Sequence, residues 1–153
     1  MPIFKYLHII TMFSAVGVST GTEFLLHRIA HSGDVRAIKT AFGAGKLTVM
    51  LVPILFIIGM LFGLLTAWTG SWNFFAPWLI IAYVLFATMV VIGRKINVPW
   101  LQQVGKIAAM NQGDTPSAEL QTLIHDKRAE RGMYIGYVLI FLIVFVMVMK
   151  PFS

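Results

Sequence analysis

Long apolar runs, separated by short stretches that hold most of the charged residues, make up this chain. Residues 47–68 and 74–93 contain no charged side chain, and each run is long enough for the roughly 20 residues that cross a hydrocarbon core. Residues 132–149 form a slightly shorter run with a basic residue at each end, and residues 3–26 form the least apolar one. Because a helix satisfies its own backbone in lipid, we predict four membrane-spanning helices.

The connections between the predicted spans indicate their direction. Residues 27–46 and 94–131 carry ten of the 12 Lys and Arg residues, whereas residues 69–73 carry none. Basic connections stay on the cytoplasmic side, so both termini are predicted on the outer side. We therefore predict an all-α, integral membrane four-helix bundle, a single domain over residues 1–153, in a bacterial inner membrane. The first span lacks a convincing cleavage site and is expected to be retained.

Shorter helices are predicted within the connections. Asn97-Val98-Pro99 is expected to start a helix that lies on the membrane surface, with Trp100 on its apolar face as an inner anchor. Thr115-Pro116 is expected to open another helix that runs without a break into the last span. Ser32-Gly33-Asp34 is expected to end the first helix.

The amino-acid composition excludes several classes of protein and of chemistry. The chain is 58% hydrophobic and 12% charged, with a mean hydropathy of +0.83 and no cysteine. A soluble domain carries about a quarter charged residues, and the absence of cysteine excludes disulfides and thiolate chemistry. The net charge of +6 is explained by topology, so no nucleic-acid partner is expected. The sequence contains no HExxH, GxSxG or phosphate-binding glycine loop.

A polar stripe runs along the first predicted span. At about 100° per residue, one helix face collects small and polar residues. Ionisable groups avoid lipid, so this face is expected to meet the bundle interior or a partner. The two ionisable ends of the stripe are 15 residues, or roughly 22 Å, apart. The members of the stripe are His8, Thr11, Met12, Ala15, Ser19, Thr22 and Glu23.

His8 is the one histidine inside the predicted spans, and its role stays open at this point. A neutral imidazole that donates to a carbonyl or hydroxyl group of a neighbouring helix is one interpretation. Axial ligation of a haem b is another, and a metal site that joins His8 to Met12, Met147 or Met149 is a third. Such a pocket would lie in the outer leaflet, while no cluster typical of a resident metal ion is predicted.

Glu23 lies where the first span is expected to leave the lipid. One interpretation is an ion pair at the cytoplasmic boundary, and the other is a proton or cation site. The basic residues within expected reach are His27, Arg28, Lys46 and Arg94.

Glycine pairs spaced by one turn occur in three of the four spans. Such pairs let another backbone approach closely. We expect them to serve packing within the chain, with a homodimer or larger membrane complex as the alternative. The pairs are Gly17-Gly21, Gly59-Gly63 and Gly132-Gly136.

Both ends of the chain carry motifs that resemble known proteins. The opening reads Lys5-Tyr6-Leu7-His8-Ile9-Ile10, and the ending reads Met147-Val148-Met149-Lys150-Pro151. These segments resemble a family of small bacterial four-span membrane proteins, the DUF2269 type, which has no assigned activity. A first-span Leu-His pair with a basic first connection is more distantly similar to the four-span protoporphyrinogen oxidases and to copper-resistance D-type membrane domains.

The distant resemblance implies a function for the first-span histidine. In the oxidases that histidine is held to ligate a b-type haem, and His8 occupies the matching position. Those enzymes also use a third-span lysine, whereas the nearest lysine here is Lys95, beyond the third span.

Three functions follow as hypotheses. The first is an accessory or cofactor-holding inner-membrane protein with a haem or metal pocket around His8 and Met12. The second is a haem-dependent membrane oxidoreductase acting on a porphyrin or quinone. The third is a small transporter or metal-handling protein that uses His8, Met12 and the terminal methionines Met147 and Met149.

Overall fold

A computed structural model describes residues 2–151, which form helices joined by turns. Four helical arms result, because α3 continues through a π-helical turn into α4, and α5 leads into α6. The elements are α1 (Pro2–His31), α2 (Val35–Thr69), α3 (Pro77–Ile92), the π segment (Gly93–Asn97), α4 (Val98–Met110), α5 (Ala118–Ile124) and α6 (Lys127–Met149).

The predicted break between the first two helices is confirmed. Gly33 adopts a left-handed conformation with φ of 71°, which an L side chain rarely takes. The Asp34 carboxylate then accepts from the backbone N–H groups of Arg36 at 2.9 Å and Ala37 at 3.0 Å. These two bonds satisfy donors that the first turn of α2 leaves free, so Asp34 starts the new helix in a fixed direction.

The arms run antiparallel and define two ends of the bundle. We call the end with the α1–α2 turn and the α4–α5 loop the connection end, and the opposite end the terminal end. At the terminal end the Lys150 ammonium lies 4.4 Å above the Trp72 ring, so the end of α6 meets the α2–α3 turn. Along the bundle, α1 packs against α2 and α3 packs against α6, while α1 and α6 touch sparingly.

Most of the buried residues lie at the connection end. Burying a Leu, Ile or Phe side chain stabilises a fold by roughly 1.5–3 kcal/mol relative to leaving it in water, so this cluster stabilises the connection end. A smaller cluster around Trp78 joins α3 to α6 at the terminal end. The main cluster contains Leu26, Ala30, Val35, Ile38, Phe42, Trp100, Val104, Ala108, Leu120, Ile124 and Ala129.

The helix predicted after Asn97 is present, but its apolar face packs against protein, while its position relative to the membrane surface stays a prediction. α4 continues the helical arm that begins at Pro77, and its apolar face is buried in protein. Trp100 is 5% exposed, and its indole N–H donates to the Leu123 carbonyl at 2.8 Å. The apolar pattern of α4 suggests a helix face that contacts lipid, but in the structure α2 and α5 cover this face.

The start of the last arm also differs from the prediction. Ser117, rather than Thr115, caps α5, and its hydroxyl accepts from the Leu120 N–H at 3.3 Å. A break follows at residues 125–126, where the Asp126 carboxylate caps α6 by accepting from the Arg128 N–H at 2.8 Å. Aspartate is a strong helix-capping residue type, so Asp126 is the signal in the sequence that marks this break.

The fold class is confirmed. The structure contains four helical arms long and apolar enough to cross a membrane, and residues 2–151 form no strand. Each predicted span overlaps one of these arms, which are Pro2–His31, Val35–Thr69, Pro77–Met110 and Ala118–Met149. The side of the membrane that each end faces stays a prediction.

Candidate functional site

The polar stripe of α1 lies against α2, and His8 makes its central contact. The Nδ1 atom of His8 lies 2.7 Å from the carbonyl oxygen of Gly59. A carbonyl oxygen can only accept, so Nδ1 carries the proton and donates it in this bond. In the tautomer that donates from Nδ1, the Nε2 atom carries a lone pair, and Nε2 forms no hydrogen bond within residues 2–151. This is the bond pattern expected for a packed histidine, and it leaves one ring nitrogen free.

The glycine pair of α2 makes room for this contact. A Cβ atom on Gly63 would lie 2.9 Å from the Cε1 and Nδ1 atoms of His8, and one on Gly59 would lie 2.6 Å from the Met12 sulfur. At separations under 3.0 Å the neighbouring atoms must shift, which the flexible Met12 side chain can do more easily than the His8 ring that is bonded to the Gly59 carbonyl. Gly59 and Gly63 therefore serve packing within the chain.

The structure does not bring together a histidine–methionine ligand set. Met12 is adjacent to His8 on the same face, but its sulfur packs onto Gly59. Met147 packs with the Trp78 cluster between α3 and α6, and Met149 is 63% exposed at the end of α6. Within residues 2–151, no group of three His, Cys, Asp or Glu side chains could hold a metal ion. On this face of α1, His8 is therefore the best candidate for a single bond to a metal ion.

The remaining members of the stripe are half-buried along α1. The Thr11 hydroxyl donates to the Leu7 carbonyl at 2.7 Å within its own helix. Ser19 and Thr22 are likewise half-buried. Ala15 is fully buried at 0% exposure, so the centre of the predicted face does point into protein. The stripe thus provides helix contacts over most of its length.

The expected ion pair of Glu23 is absent from the described chain. Within residues 2–151, the salt bridge that forms joins Arg36 to Asp114 at 3.6 Å, on the exposed surface. Glu23 is half-buried, and its Oε1 atom is enclosed without a hydrogen-bond partner. The described residues thus provide no ion pair for Glu23, and α1 continues for two further turns beyond it before the chain reaches the α1–α2 turn.

A cleft between α1 and α6 lies beside Glu23, and no pattern in the sequence predicts it. Its volume is about 470 Å³, and it opens on the outside of the bundle. The Tyr137 hydroxyl donates to the Thr20 carbonyl oxygen across the cleft at 3.3 Å. Glycine and tyrosine residues lie close together in the sequence of α6, but this pattern does not show which helix α6 packs against. The lining residues are Val16, Thr20, Gly21, Phe24, Tyr137 and Ile140.

The other two glycine pairs differ from the α2 pair. A Cβ atom on Gly132 would lie 2.5 Å from the Asn97 side-chain oxygen, so this glycine also packs within the chain. Gly17, Gly21 and Gly136 have no atom within 4 Å of such a Cβ. The Asn97 oxygen is itself enclosed without a partner in the described residues.

A second group of histidines lies at the connection end. The His27 ring stacks on Trp100 with a centroid distance of 4.0 Å and an interplanar angle of 9°. Burial, together with a smaller contribution from the nearby His31, lowers the pKa of His27 from its ordinary value of 6.5 to about 4, while Glu130 acts in the opposite direction. His31 and His125 meet edge to face at 5.7 Å on the exposed side of this stack.

Comparison with known proteins identifies a family. The family model described as "Predicted integral membrane protein (DUF2269)" matches residues 2–151. No curated protein and no solved structure matches the chain. The match covers nearly the whole chain, agrees with the four long apolar arms, and confirms the resemblance seen at the two ends of the sequence. The chain therefore belongs to the DUF2269 family of predicted integral membrane proteins.

Proposed function

We propose that this integral membrane protein holds a haem b, or a similar apolar metal-containing cofactor, through the Nε2 atom of His8. The observation that carries the proposal is the 2.7 Å bond from His8 Nδ1 to the Gly59 carbonyl. Histidines that ligate a metal commonly donate their other ring N–H to a backbone carbonyl, which fixes the tautomer and the ring orientation. His8 therefore has the proton arrangement that ligation requires.

His8 would hold such a group through one ring nitrogen from each chain. The ring is held between α1 and α2, where Gly63 lets it approach the α2 backbone, and its side chain is half-buried. Met12 packs onto Gly59 and would contribute apolar contact instead of a second bond. A haem held in this way supplies one-electron redox chemistry. The chain itself supplies the imidazole, its orientation and an apolar surrounding.

The proposal also specifies the membrane in which the protein lies and the number of chains that bind one haem. The concentration of basic residues at the connection end supports a bacterial inner membrane with both termini on the outer side. His8 then lies in the outer leaflet. A homodimer that brings two His8 residues together would supply two axial bonds to one haem, whereas a monomer would supply one.

The visible spectrum of the purified chain tests the proposal. The protein is expressed with a haem supply, extracted in a mild detergent, and measured in its oxidised and reduced forms. We expect a Soret band that is lost in His8→Ala and retained in His125→Ala, which removes an exposed histidine at the connection end. A spectrum typical of two imidazole ligands would indicate the dimer.

Two alanine substitutions at glycine positions provide a more specific control. Gly63→Ala would place a methyl group 2.9 Å from the His8 ring and should change the Soret position, whereas Gly21→Ala meets no atom within 4 Å and should not. A protein that folds normally but neither purifies with haem nor takes it up would disprove the proposal. His8 would then be a packing residue, and the oxidoreductase hypothesis would fail with it.

A further inference from the structure

Two exposed histidines from distant parts of the chain meet at the connection end. His31 is the last residue of α1, and His125 follows α5 directly. Their ring centroids lie 5.7 Å apart, and the ring planes meet at an angle of 67°. Both residues lie outside the predicted spans and both are exposed, so an ion dissolved in the aqueous phase can reach the two rings.

The two rings have the same hydrogen-bond arrangement. The Nδ1 atom of His31 lies 2.8 Å from the His27 carbonyl oxygen, and that of His125 lies 2.9 Å from the Gln121 carbonyl oxygen. A carbonyl oxygen only accepts, so each ring donates from Nδ1 and, when neutral, carries its lone pair on Nε2. Neither Nε2 atom forms a hydrogen bond within residues 2–151. Histidines that ligate a metal commonly make this second bond, which fixes the tautomer and the ring orientation.

The distance between the rings suits a shared metal ion. Imidazole nitrogens bind Zn²⁺ at about 2.0–2.1 Å in a tetrahedral arrangement, which places the centroids of two rings on one ion roughly 5 Å apart. The observed separation of 5.7 Å is close to this value, and both side chains are exposed and have room to turn slightly. Two imidazoles leave the other coordination positions to water, so the bound ion should exchange more readily than one with three or four protein ligands.

We propose that His31 and His125 bind one divalent transition metal ion of the imidazole-preferring class, such as Zn²⁺ or Cu²⁺, through their Nε2 atoms. The ion joins the end of α1 to the end of α5, two helices that otherwise touch sparingly. Its binding therefore stabilises the connection end and makes that stability depend on the concentration of the metal. His8 lies 23 residues earlier in α1, or roughly 35 Å away, so this site is separate from the proposed cofactor site.

Calorimetric titration of the whole chain with Zn²⁺ in detergent, after treatment with a chelator, tests the proposal. We expect one saturable site per chain. His31→Ala and His125→Ala should each weaken binding at least about tenfold, a loss that the removal of an outer hydrogen-bond partner alone can cause at a metal site. The double variant should bind no more weakly than either single variant, because the two residues act on one ion. His8→Ala is the control and should bind Zn²⁺ like the unchanged chain.

The Trp100 indole N–H reports on the same event locally. It donates to the carbonyl of Leu123, which lies at the end of α5 next to the proposed site. Opening of the connection end separates α5 from α1 and so requires release of the ion. At a Zn²⁺ concentration about tenfold above its Kd, hydrogen exchange of this group should therefore slow by about tenfold. The same Zn²⁺ concentration should leave its exchange unchanged in His125→Ala.

Cu²⁺ identifies the ligands without any substitution. It binds most tightly among the divalent first-row ions at nitrogen sites. The electron paramagnetic resonance spectrum of the unchanged chain with one equivalent of Cu²⁺ should show two ligating imidazole nitrogens, and that of His31→Ala should show fewer. Mg²⁺ is the control ion for the Zn²⁺ experiments, because it prefers oxygen ligands and should neither bind nor slow the exchange of the Trp100 N–H.

Several results would overturn the inference. Absence of saturable Zn²⁺ binding to the unchanged chain would leave the contact of His31 with His125 as aromatic packing. Loss of binding in one single variant but not in the other would place the ion elsewhere. An equal effect of Mg²⁺ on Trp100 would show a general effect of cations. Helix content measured by circular dichroism shows that each variant folds, and none of these results depends on haem binding at His8.

Discussion

Acid should weaken the connection end through His27. In the folded chain His27 is 5% exposed and stacked on Trp100, and burial lowers its pKa to about 4 from 6.5. The unfolded chain therefore binds a proton more readily than the folded chain between these two values. The stability that neutral His27 contributes is fully present above about pH 6.5 and is lost as the pH falls through about 4.

The size of this effect follows from the two pKa values. One pKa unit corresponds to about 1.4 kcal/mol, so the complete loss amounts to roughly 3 kcal/mol. At about pH 5 the expected loss is roughly 2 kcal/mol, because the folded state is still mostly unprotonated there. For a chain of this size such a loss lowers the unfolding temperature by on the order of 5 °C.

Thermal unfolding in detergent, followed by circular dichroism at about pH 7.5 and about pH 5, measures the loss globally. Hydrogen exchange of the Trp100 indole N–H with solvent measures the loss of stability at the connection end, since this group donates to the Leu123 carbonyl at 2.8 Å. His27→Phe is the matched variant, because it keeps an aromatic ring against Trp100 but cannot titrate. Its unfolding temperature should fall less on acidification than that of the unchanged chain, because the contribution of His27 is gone.

The neighbouring charges provide the control. His31 and Glu130 both act on His27, and His125 lies beyond His31 on the exposed side. His125→Ala should leave most of the pH dependence in place. If His27→Phe and the unchanged chain lose the same stability on acidification, the reasoning about His27 is wrong and another group is responsible.

Two further predictions concern packing and surface charge. Gly59→Ala would place a methyl group 2.6 Å from the Met12 sulfur, which must shift, so we expect a loss on the order of 1 kcal/mol relative to Gly21→Ala, which gains helix propensity in open space. Equal unfolding temperatures for these two alanine variants would refute the close contact. Asp114→Asn removes the exposed salt bridge to Arg36, whose side chains are 85% and 88% exposed, and should change the unfolding temperature little. A large change in the same thermal assay would mean that this pair is coupled to the core.

The architecture could be predicted because lipid imposes simple rules. Uncharged runs such as residues 47–68 have few alternatives to a helix in a membrane, and the break at Gly33 and Asp34 carries local signals for a turn and a cap. Even the contact of His8 with a backbone carbonyl is among the interpretations that the sequence supports. These features depend on single residues or on one helix, so the sequence displays them directly.

The pairing of helices could not be predicted in the same way. The apolar face around Trp100 has the same pattern whether lipid or protein covers it, and only the position of α5 settles which one does. The sequence shows which basic residues lie near Glu23 along the chain, but it does not show whether any of their side chains reaches the carboxylate. The cleft beside Tyr137 arises from sparse contact between two helices that are far apart in sequence.

The location of the main cluster of buried residues affects how the protein unfolds. This cluster lies largely outside the predicted spans, in the part of the chain that is expected to meet water. A denaturant dissolved in the aqueous phase can therefore reach it without entering the acyl chains. We expect guanidinium added to proteoliposomes to separate the four arms while each arm remains helical in the bilayer, so that assembly and insertion become two measurable steps.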